Sequence, residues 1–245
     1  MTLNLEQFCD VRLGSPLART CFTKGFLNNV YGVELADGRQ LVIKEHPSSA
    51  GIEAIIRTRG RLSRAGVGCP PIVEVVDDRI VVEPLIAGGE IPDPHSPEGV
   101  GSMATLLARI VLAGAPTEGL VGVPWADHRH GLYPQPPGMK IDFSSSAGVE
   151  WADELASEAA TRLRSATGTI VAGHGDFQAQ NIRFAGSEPV AVFDWDSLVA
   201  DVEPAIVGFA AAMFVDVGDD AEPECASPDE REAFVSAYER AAGHD

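Results

Sequence analysis

The stretch "GHGDFQAQNIRFAGSEPVAVFDWDSL", residues 173–198, constrains this chain more than any other. It places a histidine, an asparagine and two aspartates flanking a hairpin beside short apolar runs. Burying an unpaired carboxylate costs several kcal/mol or more, so these oxygens need something between them. "TIVAG" is apolar and leads into the loop "HGDFQAQ", while "NIRF" and "VAVF" are short strands joined by the turn-rich "AGSEP". An antiparallel hairpin brings its open ends together, with facing residues about 5 Å apart. Asn181 begins the first strand and Asp194 directly follows the second, so their side-chain oxygens can converge on one cation. Asp176 reaches over the same spot from its loop. An amide oxygen, a carboxylate and room for water suit Mg²⁺, which keeps several waters and takes phosphate oxygens as further ligands.

A second constraint lies in "NNVYGVELADGRQLVIKEHP". Val30, Tyr31, Val33 and Leu35 form one strand, Asp37-Gly38 is a strong hairpin turn signal, and "QLVIK" returns. Strand side chains alternate, so Val42 and Lys44 share a face. A lysine on a covered face needs an anionic partner, and the phosphates of a nucleotide would be one. Ahead of the hairpin, "FTKGFLNN" carries Gly25, Asn28 and Asn29, a loop able to offer backbone N–H groups to an anion. In "SAGIEAIIRTRGRLSRAGVGCPP", Ile52, Ile55, Ile56 and Leu62 recur at helical spacing. Glu53 beside that stripe has two readings, a solvated partner of Arg57 one helical turn away or a partner for Lys44. Strands "PIVEVV" and "RIVVEPLI" follow, and then a stretch rich in Gly and Pro closes the β-rich part near residues 83–89. Helices are expected in "VGSMATLLARIVLAG" and "VEWADELASEAATRLRSA", separated by a long irregular connection.

The spacing H-x-D-x-x-x-x-N, with a further Asp thirteen residues on, follows the kinase catalytic loop and its metal-binding aspartate. "HGDFQAQN" with "VFDWDSL", preceded by "LVIK", resembles the aminoglycoside phosphotransferase and choline kinase-like family, small-molecule kinases of protein-kinase-like fold. The resemblance runs from about Leu17 to the end and is most specific in the C-terminal half. It implies an α+β, two-lobed protein: a small antiparallel β-rich nucleotide-binding lobe over residues 1–86 and a mainly helical catalytic and substrate-binding lobe over 87–245. It implies further that Asp176 accepts or orients the proton of the attacking hydroxyl and that Asn181 and Asp194 hold Mg²⁺. Lys44, steadied by Glu53, would bind the phosphates of ATP or GTP beneath the Gly25 loop. The backbone from Glu83 to Leu85 would bind the purine, with His174 and Asp196 in support. The chain departs from the family pattern in its glycine-poor loop and in lacking a further aspartate near Val207 and Gly208. Helices that often follow the last segment would be missing, as in a compact or truncated member.

Composition narrows the partners. With 36 acidic against 18 basic residues and a net charge of −18, the chain repels nucleic acid and anionic lipid and attracts cations. No window reaches the ~18 apolar residues of a membrane helix, and "MTLNLEQFCDVRLG" does not resemble a secretory signal, so a cytoplasmic location is expected. Cys9, Cys21, Cys69 and Cys225 form no CxxC pair and are expected as buried, reduced thiols. His128 and His130 have HxH spacing without a carboxylate-rich partner motif, which fits an ordinary loop better than a metal site. The expected function is transfer of a γ-phosphoryl group to a hydroxyl of a small, cationic molecule such as an aminoglycoside. The alternatives are a non-catalytic ligand- or nucleotide-binding pseudokinase, a metabolite kinase of choline or amino-sugar type, and a metal-dependent hydrolase, which would leave Lys44 unexplained.

Overall fold

The computed structural model describes residues 3–25, 28–122, 132–133, 150–218 and 224–244. His128 and His130 lie outside them. The N-terminal part is an antiparallel sheet of five strands in the order β1-β2-β3-β5-β4, comprising β1 (Leu17–Gly25), β2 (Asn29–Leu35), β3 (Gln40–Glu45), β4 (Glu74–Val76) and β5 (Ile80–Pro84). The β2–β3 hairpin turns at Asp37-Gly38, where Gly38 takes a φ of +88°, open to glycine at no steric cost. "FTKG" is not loop, as expected, but the end of β1, which pairs with β2 as far as Gly25 opposite Asn29.

The two faces of this sheet are covered by different partners. Leu41 and Ile43 of β3, Val82 of β5 and Val33 and Leu35 of β2 pack with Phe8 and Cys9 of α1 (Leu5–Val11). That helix escaped the sequence reading, although Asn4 caps it by accepting from the Gln7 N–H at 3.1 Å. The opposite face carries Val42 and Lys44 and looks towards α2 (Ile52–Arg64). Leu62 of α2 and Val67 after it join the core of the C-terminal part, so α2 is packed into that second core.

The larger core is built on α3 (Pro97–Ala113) and α6 (Pro228–Ala242), which pack side by side. Met103, Leu106, Leu107 and Ile110 meet Phe177, Trp195, Phe214 and Phe234, with Phe214 and Phe234 stacked at 4.7 Å between ring centroids. Of the described residues of α4 (Glu150–Ser165) only Ala160 is fully buried. Strand β6 (Ile170–His174) pairs with β9 (Leu198–Val202), a strand the sequence reading did not separate, and β7 (Ile182–Ala185) pairs with β8 (Glu188–Val192). Helix α5 (Glu203–Met213) lies against β6, and a Cβ on Gly173 would come within 2.3 Å of Ile206 Cγ2. All four cysteines are free, but Cys21 and Cys225 are exposed rather than buried. No helix among the described residues is long and apolar enough to cross a membrane.

Candidate active site

Strand β6 delivers His174 to the end of the sheet, and Gly175 lets the chain turn tightly there. Its N–H donates to Ser197 O at 2.7 Å, and a Cβ would stand 2.8 Å from that same oxygen. His174 is buried between the rings of Phe177 and Trp195. Its Nδ1 accepts from the Asp176 N–H at 3.2 Å and its Nε2 lies 2.8 Å from Phe193 O. That pattern fixes the neutral tautomer with Nε2–H and ties the Asp176 loop to the residue before Asp194.

The β7–β8 hairpin closes at its open end through the Phe193 N–H, which donates to Asn181 O at 2.8 Å. Asn181 stands one residue before β7, in a single 3₁₀ turn, and Asp194 follows β8 after Phe193 rather than directly. Asn181 Nδ2 donates to the Asp176 carboxylate at 2.9 Å and to Asp176 O at 3.0 Å. Both amide protons are thus committed to one residue, and Asn181 Oδ1 remains an acceptor with no donor among the described residues. Burial pushes the Asp176 pKa up, and the nearby Asp194 and Asp216 carboxylates add to this, against the Asn181 hydrogen bond. Asp194 holds a left-handed backbone (φ 56°, ψ 43°), which Asp tolerates better than most residues but which is still strained. Its carboxylate is the most open of the acidic groups around Lys44.

Lys44 is only 7 % exposed. Its Nζ lies 3.3 Å from Glu83 Oε1, 3.6 Å from Asp196 Oδ2 and 4.0 Å from Asp194 Oδ1. Burial alone would lower its pKa, yet these three carboxylates together raise it, so the ammonium stays charged. Asp196 also accepts from Asn28 Nδ2 at 2.8 Å, a contact joining the β1–β2 tip to the C-terminal part, and lies 3.6 Å from the buried His46 Nε2.

Glu53 does not partner Lys44, which corrects that expectation. Its side chain is 88 % exposed and pairs with Arg57 at 2.5 Å, one turn along the helix. The physical reason is position: Glu53 follows the first residue of α2 and faces out, whereas the buried face carries Ile52, Thr58, Arg59 and Leu62. Arg59 is the residue the sequence reading missed, and its spacing of seven from Ile52 placed it on the inward stripe all along.

Glu83 and Leu85 take part otherwise than expected. In the β3–β5 register Glu83 pairs with Val42, and the Leu85 N–H donates to Gln40 O at 2.9 Å. Their backbone groups therefore serve the sheet, and it is the Glu83 side chain that enters the site. Strand alternation leaves the Pro84 C=O and the Ile86 N–H facing away from β3, and both residues line the cavity.

One cavity of about 1230 Å³ is lined by Lys44, Glu83 and the C-terminal carboxylates, while His174, Glu53 and Arg59 lie outside its lining. Gly25 and Asn28 border it from the β1–β2 tip, Lys44, Glu83 and Pro84 from the sheet, and Asp176, Asn181, Asp194 and Asp196 from the C-terminal part. No three His, Cys, Asp or Glu residues form a metal-binding group among the described residues. A divalent cation would therefore draw on Asn181 Oδ1, the Asp194 carboxylate, water and the ligand's own oxygens, a donor set that suits Mg²⁺.

A two-lobed kinase-like fold with this constellation defines a class, and the sequence places the chain in it. The model of the phosphotransferase enzyme family matches residues 20–244, and the chain belongs to that family. Solved structures share the fold. The amicoumacin kinase in complex with AMP-PNP, Ca²⁺ and amicoumacin matches with a TM-score of 0.63 at 15 % identity, covering 92 % of this chain and 72 % of that one. The macrolide 2'-phosphotransferase MphH of Brachybacterium faecium matches with a TM-score of 0.57 at 17 % identity, over 98 % of this chain and 83 % of that one. The aminoglycoside phosphotransferase APH(4)-Ia with ADP and hygromycin B has a TM-score of 0.53 at 15 % identity, over 84 % and 76 %. No curated protein sequence matches the chain.

Proposed function

We propose that this protein is a small-molecule kinase that moves the γ-phosphoryl group of ATP or GTP to a hydroxyl of a small, cationic acceptor such as an aminoglycoside or related antibiotic. The observation that carries this reading is the Asp176–Asn181 pair, whose amide faces the carboxylate while its oxygen stays free, in the same cavity as a buried, charged lysine. In this reading residues 1–86 are the nucleotide-binding lobe and 87–245 the catalytic and substrate lobe. Lys44 binds the phosphates, with Gly25 and Asn28 above them, and the purine meets the Pro84–Ile86 edge. Asn181 and Asp194 would hold Mg²⁺, which neutralises charge on the phosphates when bound. The need for such a cation follows from the electrostatics, because Glu83, Asp194 and Asp196 outweigh the two charges of Lys44 and Arg59.

Asp176 accepts the proton of the acceptor hydroxyl as the new O–P bond forms and the bond from the γ-phosphorus to the β-phosphate oxygen breaks. Its raised pKa suits a base better than an ordinary aspartate, and the Asn181 amide fixes its orientation. His174 holds the loop and moves no proton. The −18 net charge supports a cationic acceptor, and a nucleoside triphosphate as donor supports a cytoplasmic setting.

The test is mass spectrometry on pooled cationic and neutral hydroxylated compounds, incubated with protein, Mg²⁺ and ATP or GTP. One compound gaining a single phosphoryl group, with the unmutated protein but not with Asp176→Asn, supports the reading. Normal turnover by Asp176→Asn would refute the assigned base.

A further inference from the structure

Lys44 and Glu83 are diagonal neighbours on the sheet. Val42 stands opposite Glu83 and Lys44 opposite Val81, so Lys44 and Glu83 project from the same face one step apart. Such diagonals span about 7–8 Å between backbones, which two long side chains can bridge. Glu83 Oε1 meets Lys44 Nζ at 3.3 Å, while Oε2 accepts from Arg59 Nη2 at 2.5 Å. The same Nη2 donates to Pro70 O at 2.7 Å. Arg59 is 3 % exposed and Glu83 5 %, so neither charge is screened by water. A line of cation, anion and cation thus runs from α2 through β5 to β3.

Resting on the nucleotide reading of Lys44, we propose that Glu83 and Arg59 are its positioning residues, with helix α2 governing the phosphate-binding lysine through an arginine and an intervening carboxylate. The geometry gives four reasons. Glu83 is the only carboxylate on Lys44's own sheet within 4 Å of Nζ among the described residues. Asp194 and Asp196 lie on the other side of the cleft, and Asp194 is the group a cation would claim. Arg59 prevents the Glu83 carboxylate from turning elsewhere, because a guanidinium holds an oxygen in a fixed direction. The one acidic residue on the first turn of α2, Glu53, points into solvent and leaves this task open.

The experiment measures the dissociation constant for Mg-nucleotide, using ATP and GTP, by calorimetry on the full chain. Four proteins form a cycle: unmutated, Lys44→Ala, Glu83→Gln and both together. Positioning through Lys44 predicts that Glu83→Gln weakens binding about 10-fold or more in the unmutated background and by less than about 2-fold once Lys44 is gone. Equal factors in both backgrounds would overturn the proposal. Arg59→Lys should retain affinity better than Arg59→Met, because it keeps the cation beside Glu83.

A purely structural ion pair is separated by the paired change Arg59→Met with Glu83→Met. Replacing both members of a buried pair by apolar groups is often neutral for stability. A paired variant that melts normally yet binds nucleotide about 10-fold or more weakly supports positioning, and one that binds normally overturns it. If the unmutated protein binds neither nucleotide, the phosphotransfer reading itself falls and takes this one with it.

Discussion

The two sides of the cleft are assembled by different physics. On the C-terminal side, Asp176, Asn181 and Asp194 are set by hydrogen bonds within the single segment that runs from the end of β6 through the β7–β8 hairpin: His174 and Asn181 to Asp176 nearby, and His174 to Phe193 and Gly175 to Ser197 across the hairpin. Most of these bonds engage the backbone, so the geometry follows once β6 ends and the β7–β8 hairpin closes. On the N-terminal side the polar groups come from distant elements and meet as charges. Arg59 comes from α2 and Glu83 from β5, and Asn28 lies 168 residues from Asp196. A site can therefore hold its acid–base group by local wiring and its phosphate-binding group by long-range electrostatics. The first is insensitive to how the two parts are packed, and the second depends on it.

The largest effects should split along that line. Asp176→Asn is expected to cut turnover by about 10²- to 10⁴-fold, the usual worth of a general base, while leaving the nucleotide dissociation constant within about 3-fold. Lys44→Met should do the reverse in emphasis, weakening nucleotide binding by about 10-fold or more. If both variants lose nucleotide affinity alike, as read by calorimetry beside steady-state kinetics, the two sides are not separable.

Next in size, His174→Ala strips the Asp176 N–H and Phe193 C=O of their shared partner and opens a void between Phe177 and Trp195. About 3 kcal/mol of stability should go, a fall of roughly 6–12 °C in Tm for a chain of this size. A melting point unchanged by His174→Ala would mean that the local wiring does not hold the loop.

Smaller still is a contact remote from both sides. His95 Nδ1 lies 2.7 Å from Glu230 Oε1 at the start of α6, with Glu224 and Asp93 nearby. The Glu230 side chain raises the His95 pKa above 6.5, and hydrogen bonds from Ser227 and His95 hold Glu230 down to about 2. A raised histidine stabilises below its unfolded value and loses that as pH climbs through its folded value. A depressed carboxylate stabilises above its unfolded value of 4.5 and loses that as pH falls towards 2. The contact should be strongest between these limits, and His95→Gln should lower Tm there by no more than about 3 °C because the pair is exposed. A larger loss at pH 9 than at pH 6 would contradict the sign.

The smallest expected effect belongs to Glu53→Gln. An exposed pair one helical turn apart contributes about 0.3–0.5 kcal/mol, and nucleotide affinity should not move. A marked loss of affinity would restore Glu53 as the partner of Lys44 and undo the contrast with Glu83.

Much of the C-terminal side was legible before any coordinates, because its separations are turn and hairpin geometry. Asn181 and Asp194 flank a hairpin whose pairing is dictated by "NIRF" and "VAVF", and Asp176 is carried by a loop of fixed length. On the other side, strand alternation was enough to show that Lys44 points inward. It was not enough to name the partner, since Glu53 and Glu83 are both acidic residues on elements beside β3. Glu83 looked like strand backbone near a purine, and Arg59 looked like one of several arginines on a charged helix. The helix α1 was hidden because its single pair of buried residues has no periodicity, and β1 because "TKGFLNN" looks like loop.

The sequence by itself determined the short-range chemistry: which residues flank the β7–β8 hairpin, which face of β3 carries Lys44, and the family to which those spacings belong. Tertiary structure decided which charges are neutralised together. Burial and the packing of α2 into the second core, with Arg59 turned towards β5, made Glu83 the bridge between Lys44 and Arg59 and left Glu53 in water. Coulomb energies depend on distance and local dielectric, and neither is written in a spacing of residues along the chain.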